Sequence, residues 1–122
     1  MLSVISARYF LYQEPTDMRK SFDGLCGLVS NKLGQNPMSG DLFIFVNKPR
    51  NRIKMLRWET GGFVLFYKRL EQGTFHLPKA STTTAGKLII DYSELVMIIN
   101  GIWLEKARKN KRFYQQNNVD KL

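Results

Sequence analysis

Ten carboxylates, one histidine and one cysteine are the side chains here that could break bonds or hold a metal, and their spacing keeps them apart. Metal-assisted phosphoryl chemistry needs two or three converging carboxylates. Asp17 and Asp23 are six residues apart, which places them on different faces of a helix, and Glu14 precedes that helix. His76 lies in Phe75-His76-Leu77-Pro78 with no Cys, Asp or Glu at ligand spacing. Cys26 falls beside an apolar helical stripe, where a small buried hydrophobe is the default. Gly61-Gly62 has no phosphate-loop context and reads as a turn. No catalytic residue, metal or cofactor is therefore expected, and the chain is not expected to be an enzyme.

The chemistry the sequence does offer is phosphate neutralisation beside aromatic rings, the combination with which proteins hold nucleic-acid backbones and stack on bases. Arg50, Arg52, Lys54, Arg57, Lys68 and Arg69 form one cluster with Tyr67 among them, and Lys106, Arg108, Lys109, Lys111 and Arg112 form a second. These twelve residues are the expected nucleic-acid contacts. The first cluster lies in RNRIKMLRWETGGFVLFYKRL, residues 50–70, which reads as a hairpin turning at Glu59-Thr60-Gly61-Gly62. With Thr60-Gly61 as its two-residue loop, Trp58 faces Phe63, Leu56 faces Leu65, Lys54 faces Tyr67 and Arg52 faces Arg69. Two arginines directly opposite one another repel, and a polyanion lying across them offsets that repulsion. Phe43, Phe45, Trp58, Phe63 and Phe66 are assigned to the core.

Charge is segregated in the same way. The 122 residues carry a net +9. Residues 48–79 hold eight basic and two acidic residues, residues 105–122 six and two, and residues 1–47 balance at four of each. Such blocks are the footprint of a polyanion partner. An anionic membrane is the competing target, but neither block forms a strongly amphipathic basic helix. No apolar run reaches the roughly 18 residues of a membrane span, no signal-peptide pattern opens the chain, and the lone cysteine excludes an internal disulfide. A cytoplasmic, nucleoid-associated protein is expected.

Around the hairpin, Arg8–Gln13 is a β-prone run ending at Glu14-Pro15, and Thr16 or Asp17 caps a helix over 17–33. Met18, Phe22, Leu25, Val29 and Leu33 make its apolar stripe, and Gly34 closes it. Gly24 and Gly27 are attributed to close packing on a sheet. Asp41–Val46 is an apolar strand, so residues 41–70 read as a three-stranded antiparallel meander. Residues 71–86 read as a mobile loop, Lys87–Ile90 as a short strand, and Ser93 as the cap of a second helix ending at Gly101. The fold class is α+β: a mainly antiparallel sheet, the 17–33 helix packed on it and a helical C-terminus. Residues 1–104 are expected to be one globular unit, with 105–122 a basic C-terminal segment.

These residues also carry a resemblance. Pro15-Thr16-Asp17-Met18-Arg19-Lys20-Ser21-Phe22-Asp23-Gly24-Leu25 resembles the PTDMRKxxDGL signature of the TnpB-type accessory proteins of the insertion-sequence 66 family of bacterial transposable elements. The likeness continues through Arg52-Ile53-Lys54, Trp58, Gly62-Phe63, Tyr67–Glu71 and Leu95–Ile102. It departs at the turn, where the family pattern WDGDGF is replaced by Trp58-Glu59-Thr60-Gly61-Gly62-Phe63, removing an acidic residue that could have served a metal. The resemblance implies an accessory protein for transposition, encoded beside a separate DDE-type transposase that performs the strand chemistry. Two roles stay open: binding of DNA, at the element ends, through the basic clusters, or docking of the transposase through Arg19, Lys20 and Asp23, which lie off the apolar stripe. RNA binding would use the same basic and aromatic chemistry.

Overall fold

Two short apolar runs fix the middle of the sheet. In the computed structural model, which describes residues 7–78 and 87–101, Tyr9–Tyr12 forms β1 and Leu42–Val46 forms β2. β1 is buried along its whole length and β2 nearly so, because a strand covered on both faces has no polar side to alternate with. They pair in parallel, Phe10 beside Phe43, so a crossover must connect them, and the helix α1 (Phe22–Asn31) lies within it. β3 (Arg52–Glu59) and β4 (Gly62–Arg69) follow antiparallel on the outer side of β2, and β5 (Lys87–Ile90) pairs antiparallel with β1. The five strands run in the order β4-β3-β2-β1-β5, antiparallel at every junction except β1–β2.

Alternation along the strands divides the core in two. On one face Phe10, Tyr12, Phe43, Phe45 and Leu56 pack beneath Leu25, Val29 and Leu33 of α1 and the turn that follows it. On the other, Tyr9, Leu11, Ile44, Val46, Ile53 and Met55 pack beneath Leu95 and Ile98 of α2 (Tyr92–Ile99). The result is a sheet with one helix on each side.

Both helices begin away from their expected caps. α1 starts at Phe22 instead of residue 17, because Asp17 accepts a bond from the Arg19 backbone N–H and closes a local turn before the helix. Ser21 occupies the N-cap position without a side-chain bond. α2 is capped by Asp91 and not Ser93: the Asp91 carboxylate accepts from the Glu94 N–H while the Glu94 carboxylate accepts from the Asp91 N–H. Gly34 and Gly101 stand past the two helix ends with φ of +62° and +72°, a conformation that glycine adopts at little cost. Gly24 and Gly27 do not lie against the sheet. A Cβ on Gly24 would meet the Lys20 side chain, and one on Gly27 would meet open space. Residues 71–78 are also less loose than a mobile loop, since Phe75 is fully buried on the α2 face and its N–H donates to the Arg50 carbonyl. The expected helical C-terminus, the basic segment 105–122 and the loop residues 79–86 lie outside the described residues.

Asp41 sets the alignment of the parallel pair. It stands just before β2 and accepts from the Arg8 backbone N–H and guanidinium, just before β1, and from the Ser39 hydroxyl. Burial alone would raise the Asp41 pKa, but these hydrogen bonds outweigh it and hold the carboxyl below its ordinary 3.8. Asp41→Ala should destabilise the protein by about 2 kcal/mol in denaturant titrations near neutral pH. Because the folded-state pKa is depressed, this contribution is complete above the ordinary carboxylate range and drains away as pH falls through the lowered value. The difference between wild type and variant should therefore shrink as the pH is taken below the ordinary 3.8.

Candidate nucleic-acid interface

The β3–β4 ribbon has the expected register: Trp58 opposite Phe63, Leu56 opposite Leu65, Lys54 opposite Tyr67 and Arg52 opposite Arg69. Near the turn this face is apolar, with the Trp58 and Phe63 rings edge to face at 5.0 Å. Toward the open end it becomes cationic. The two facing arginines diverge to separate partners, Arg52 donating to the Tyr67 hydroxyl at 3.2 Å and Arg69 donating through Nε and Nη2 to one oxygen of Glu71. Glu71 thus relieves part of the repulsion within the chain itself.

Lys54 is corrected most sharply by the structure. Only 6% of it is exposed, and its ammonium donates to the carbonyls of Met18 and Lys20 at 2.8 and 2.7 Å while lying 4.6 Å from the centre of the Tyr67 ring. It pins the 18–20 turn to the sheet and has no surface to offer a phosphate. Lys68 is partly withdrawn in the same way, its ammonium donating to the Ile99 carbonyl at the C-terminal end of α2, where a cation also opposes the helix dipole. Arg57 sits on the α2 face of the sheet and donates to the Gly40 carbonyl. A third lysine, Lys87 of β5, reaches Leu33 O just past the end of α1. Neither helix has a basic residue in its own last turn, so strand lysines serve both ends.

The expected contacts that are left on the surface converge on one end of the sheet. Arg52 and Arg69 occupy the open end of the ribbon, Tyr67 is about half exposed beside them, and the turn joining β2 to β3 adds Lys48 and Arg50. That turn is braced from within: the Asn47 carboxamide oxygen accepts from the N–H groups of Asn51 and Arg52, and its amide group donates to the Asn51 side chain. Arg50 takes a left-handed φ of +60° there, the one described non-glycine residue that does, at a cost of about 1 kcal/mol. Lys48 is not among the twelve residues singled out from the sequence, although it falls in the basic block and its Asn47-Lys48-Pro49-Arg50-Asn51 context marks the turn. Lys106, Arg108, Lys109, Lys111 and Arg112 lie outside the described residues.

Arg19, Lys20 and Asp23 are all exposed on the loop and first turn of α1. Arg19 grips Asp17 through Nε and Nη2, and chiefly this contact draws the Asp17 carboxyl down to about 2. Burial, with a smaller push from the Asp23 charge, raises the Cys26 thiol, which keeps it protonated and unreactive. Among the described residues no group of three His, Cys, Asp or Glu side chains could hold a metal ion, and no helix is long and apolar enough to cross a membrane.

Comparison with known proteins places these features in a family. The profile described as IS66 Orf2 like protein matches residues 7–109. The chain is also similar to two proteins of Sinorhizobium fredii (strain NBRC 101917 / NGR234). It is 31% identical to the uncharacterized protein y4jC over 84% of this chain and 86% of that one, and 34% identical to the uncharacterized protein y4hO over 80% and 82%. No solved structure matches it.

Two measurements test the assigned geometry. Lys54→Met keeps the buried stem but leaves the two carbonyls without their donor, and should cost about 1–3 kcal/mol in urea unfolding. Carbon-detected titration should find the Asp17 carboxyl near 2 in the wild type and back toward 3.8 in Arg19→Ala. The lowered value means that the Asp17–Arg19 contact persists down to that pH and is lost only below it.

Proposed function

This chain belongs to the IS66 Orf2-like family, and from that membership we propose that it serves transposition of a bacterial insertion sequence as a non-catalytic accessory that holds DNA on the cationic end of its sheet. One observation carries the reading. Three lysines spend their charge on backbone carbonyls, while Lys48, Arg50, Arg52 and Arg69 lie at the one end of the sheet where Tyr67 is half exposed. A duplex or single strand crossing that edge would replace the Arg52–Arg69 repulsion with phosphate contacts, and Tyr67 is placed to meet a base or sugar. The basic C-terminal residues 106–112 would extend the contact, and the strand chemistry falls to the separate transposase.

Binding should be steep in salt. With about five phosphates neutralised, affinity for element-end DNA should fall roughly 500-fold between 50 and 200 mM salt, and a flat response would overturn the phosphate reading. Replacing Arg52 and Arg69 together with Gln removes two exposed contacts of little structural worth. Stability should therefore stay within about 0.5 kcal/mol of wild type, while the salt slope drops by about 2. Arg19→Ala with Lys20→Ala should leave DNA affinity intact. If the hairpin variant binds DNA normally and the Arg19, Lys20 variant loses the transposase in a pull-down, the protein is an adaptor and not a DNA-binding subunit.

A further inference from the structure

A cavity of about 460 Å³ opens beside the cationic edge, lined by Pro15, Thr16, Asp17, Met18, Arg19, Asn47, Lys48 and Arg52. Its place in the fold is set by the parallel strands. β1 and β2 both end here, and the Thr16 N–H donates to the carbonyl of Val46, the last residue of β2. Open sheets bind ligands in the crevice outside the carboxyl ends of parallel strands, and the volume lies in the range of small-molecule sites.

The charge and hydrogen-bonding state of this cavity are uneven. Its charged walls are Arg19, Lys48, Arg52 and Asp17. Arg19 is occupied by Asp17, which leaves the charges of Lys48 and Arg52 uncompensated. The Lys48 ammonium makes no hydrogen bond or ion pair among the described residues, and the Arg52 guanidinium has only the Tyr67 hydroxyl. Thr16 is 95% buried at the border of the cavity, and its hydroxyl, itself closed off from solvent, has no hydrogen-bonding partner among the described residues. Buried polar groups are nearly always paired, so an orphan hydroxyl beside a pocket wall is a donor available to an incoming group.

We propose that this cavity is a binding site for a nucleotide phosphate, with Lys48 and Arg52 supplying the charge and the Thr16 hydroxyl, turned about χ1 toward the ligand, the directed donor. The site is a shallow, largely open depression beside the ribbon that would carry a strand. It goes beyond the DNA-binding reading and shares with it Lys48 and Arg52. The phosphate could arrive on a free nucleotide or on the 5′ end of a strand, since the group recognised is the same.

The full-length protein should be titrated by NMR and calorimetry with deoxyadenosine 5′-monophosphate against deoxyadenosine, and with a short single strand carrying a 5′-phosphate against its 5′-hydroxyl form. The phosphorylated ligand of at least one pair should bind saturably below about 1 mM, with shifts at Thr16, Asn47 and Lys48, and its unphosphorylated partner should not; which pair responds identifies the source. Thr16→Val should hold or raise the melting temperature, because it removes an orphaned hydroxyl, yet weaken phosphate binding about tenfold. Lys48→Gln should weaken it severalfold and flatten its salt dependence. Equal binding of phosphorylated and unphosphorylated ligands, no binding of either, or undiminished affinity in both variants would overturn the proposal. Duplex binding measured on the same samples keeps the two readings apart. Normal duplex binding without nucleotide binding sinks the pocket alone, and nucleotide binding without duplex binding supports the pocket while sinking the DNA surface.

Discussion

An ammonium group donating to main-chain carbonyls is the contact on which this architecture depends. Lys54 does it twice from the middle of β3, fastening the turn that leads into α1, while Lys87 and Lys68 fasten the chain at the C-terminal ends of α1 and α2. Arginine would serve poorly here, because its planar fork is shaped for carboxylates and phosphates. Lysine places a compact charge at the end of an apolar stem that can lie along the core. Burying such a charge without an acid is expensive, and removing it would strand the carbonyls it satisfies. The two bonds and the Tyr67 ring offset that cost and turn a residue that looks like a surface cation into a tie between layers.

This changes how the net +9 should be understood. Part of the positive charge that the sequence places in 48–79 is internal fastening, and the remainder is more concentrated than composition suggests. The β2–β3 turn and the open end of the β3–β4 ribbon lie at the same end of the sheet as the carboxyl ends of β1 and β2. The PTDMR loop closes over that end, held by the Thr16 bond to Val46 and by the Lys54 pin. The most specific stretch of the sequence and the least compensated cations therefore meet at one place for a single topological reason: the crossover from β1 to α1 begins there.

Legibility followed the locality of each interaction. The hairpin register could be read because period-two alternation and a two-residue glycine turn leave one arrangement that keeps Trp58, Leu56, Phe63 and Leu65 together. The end of α1 could be read because Gly34 is local punctuation. Its start could not, because Asp17 had two backbone options and took the nearer one. Ser93 lost the second cap to Asp91, which has Glu94 three residues on to complete the box. The burial of Lys54 left no trace, since its partners are carbonyls some thirty-five residues away and a carbonyl has no residue type. For the same reason the parallel pairing of β1 with β2, and the fixing of Phe75 beneath Arg50, are visible only in three dimensions. Family resemblance supplied a biological setting that geometry alone does not contain.

The strand order also imposes a timetable on synthesis. The β3–β4 ribbon closes on itself within twenty residues, the kind of local contact that forms early. β1 is among the first segments made, yet one side of it waits for β5, whose residues 87–90 pair with residues 9–12. At ordinary translation speeds that interval is on the order of ten seconds. Throughout it, Tyr9–Tyr12, the strand buried along its whole length in the finished sheet, presents an open row of backbone donors and acceptors. A ribosome-bound chain stopped short of residue 87 should therefore be a sticky intermediate and a natural client for a chaperone, whereas the finished protein has closed that edge.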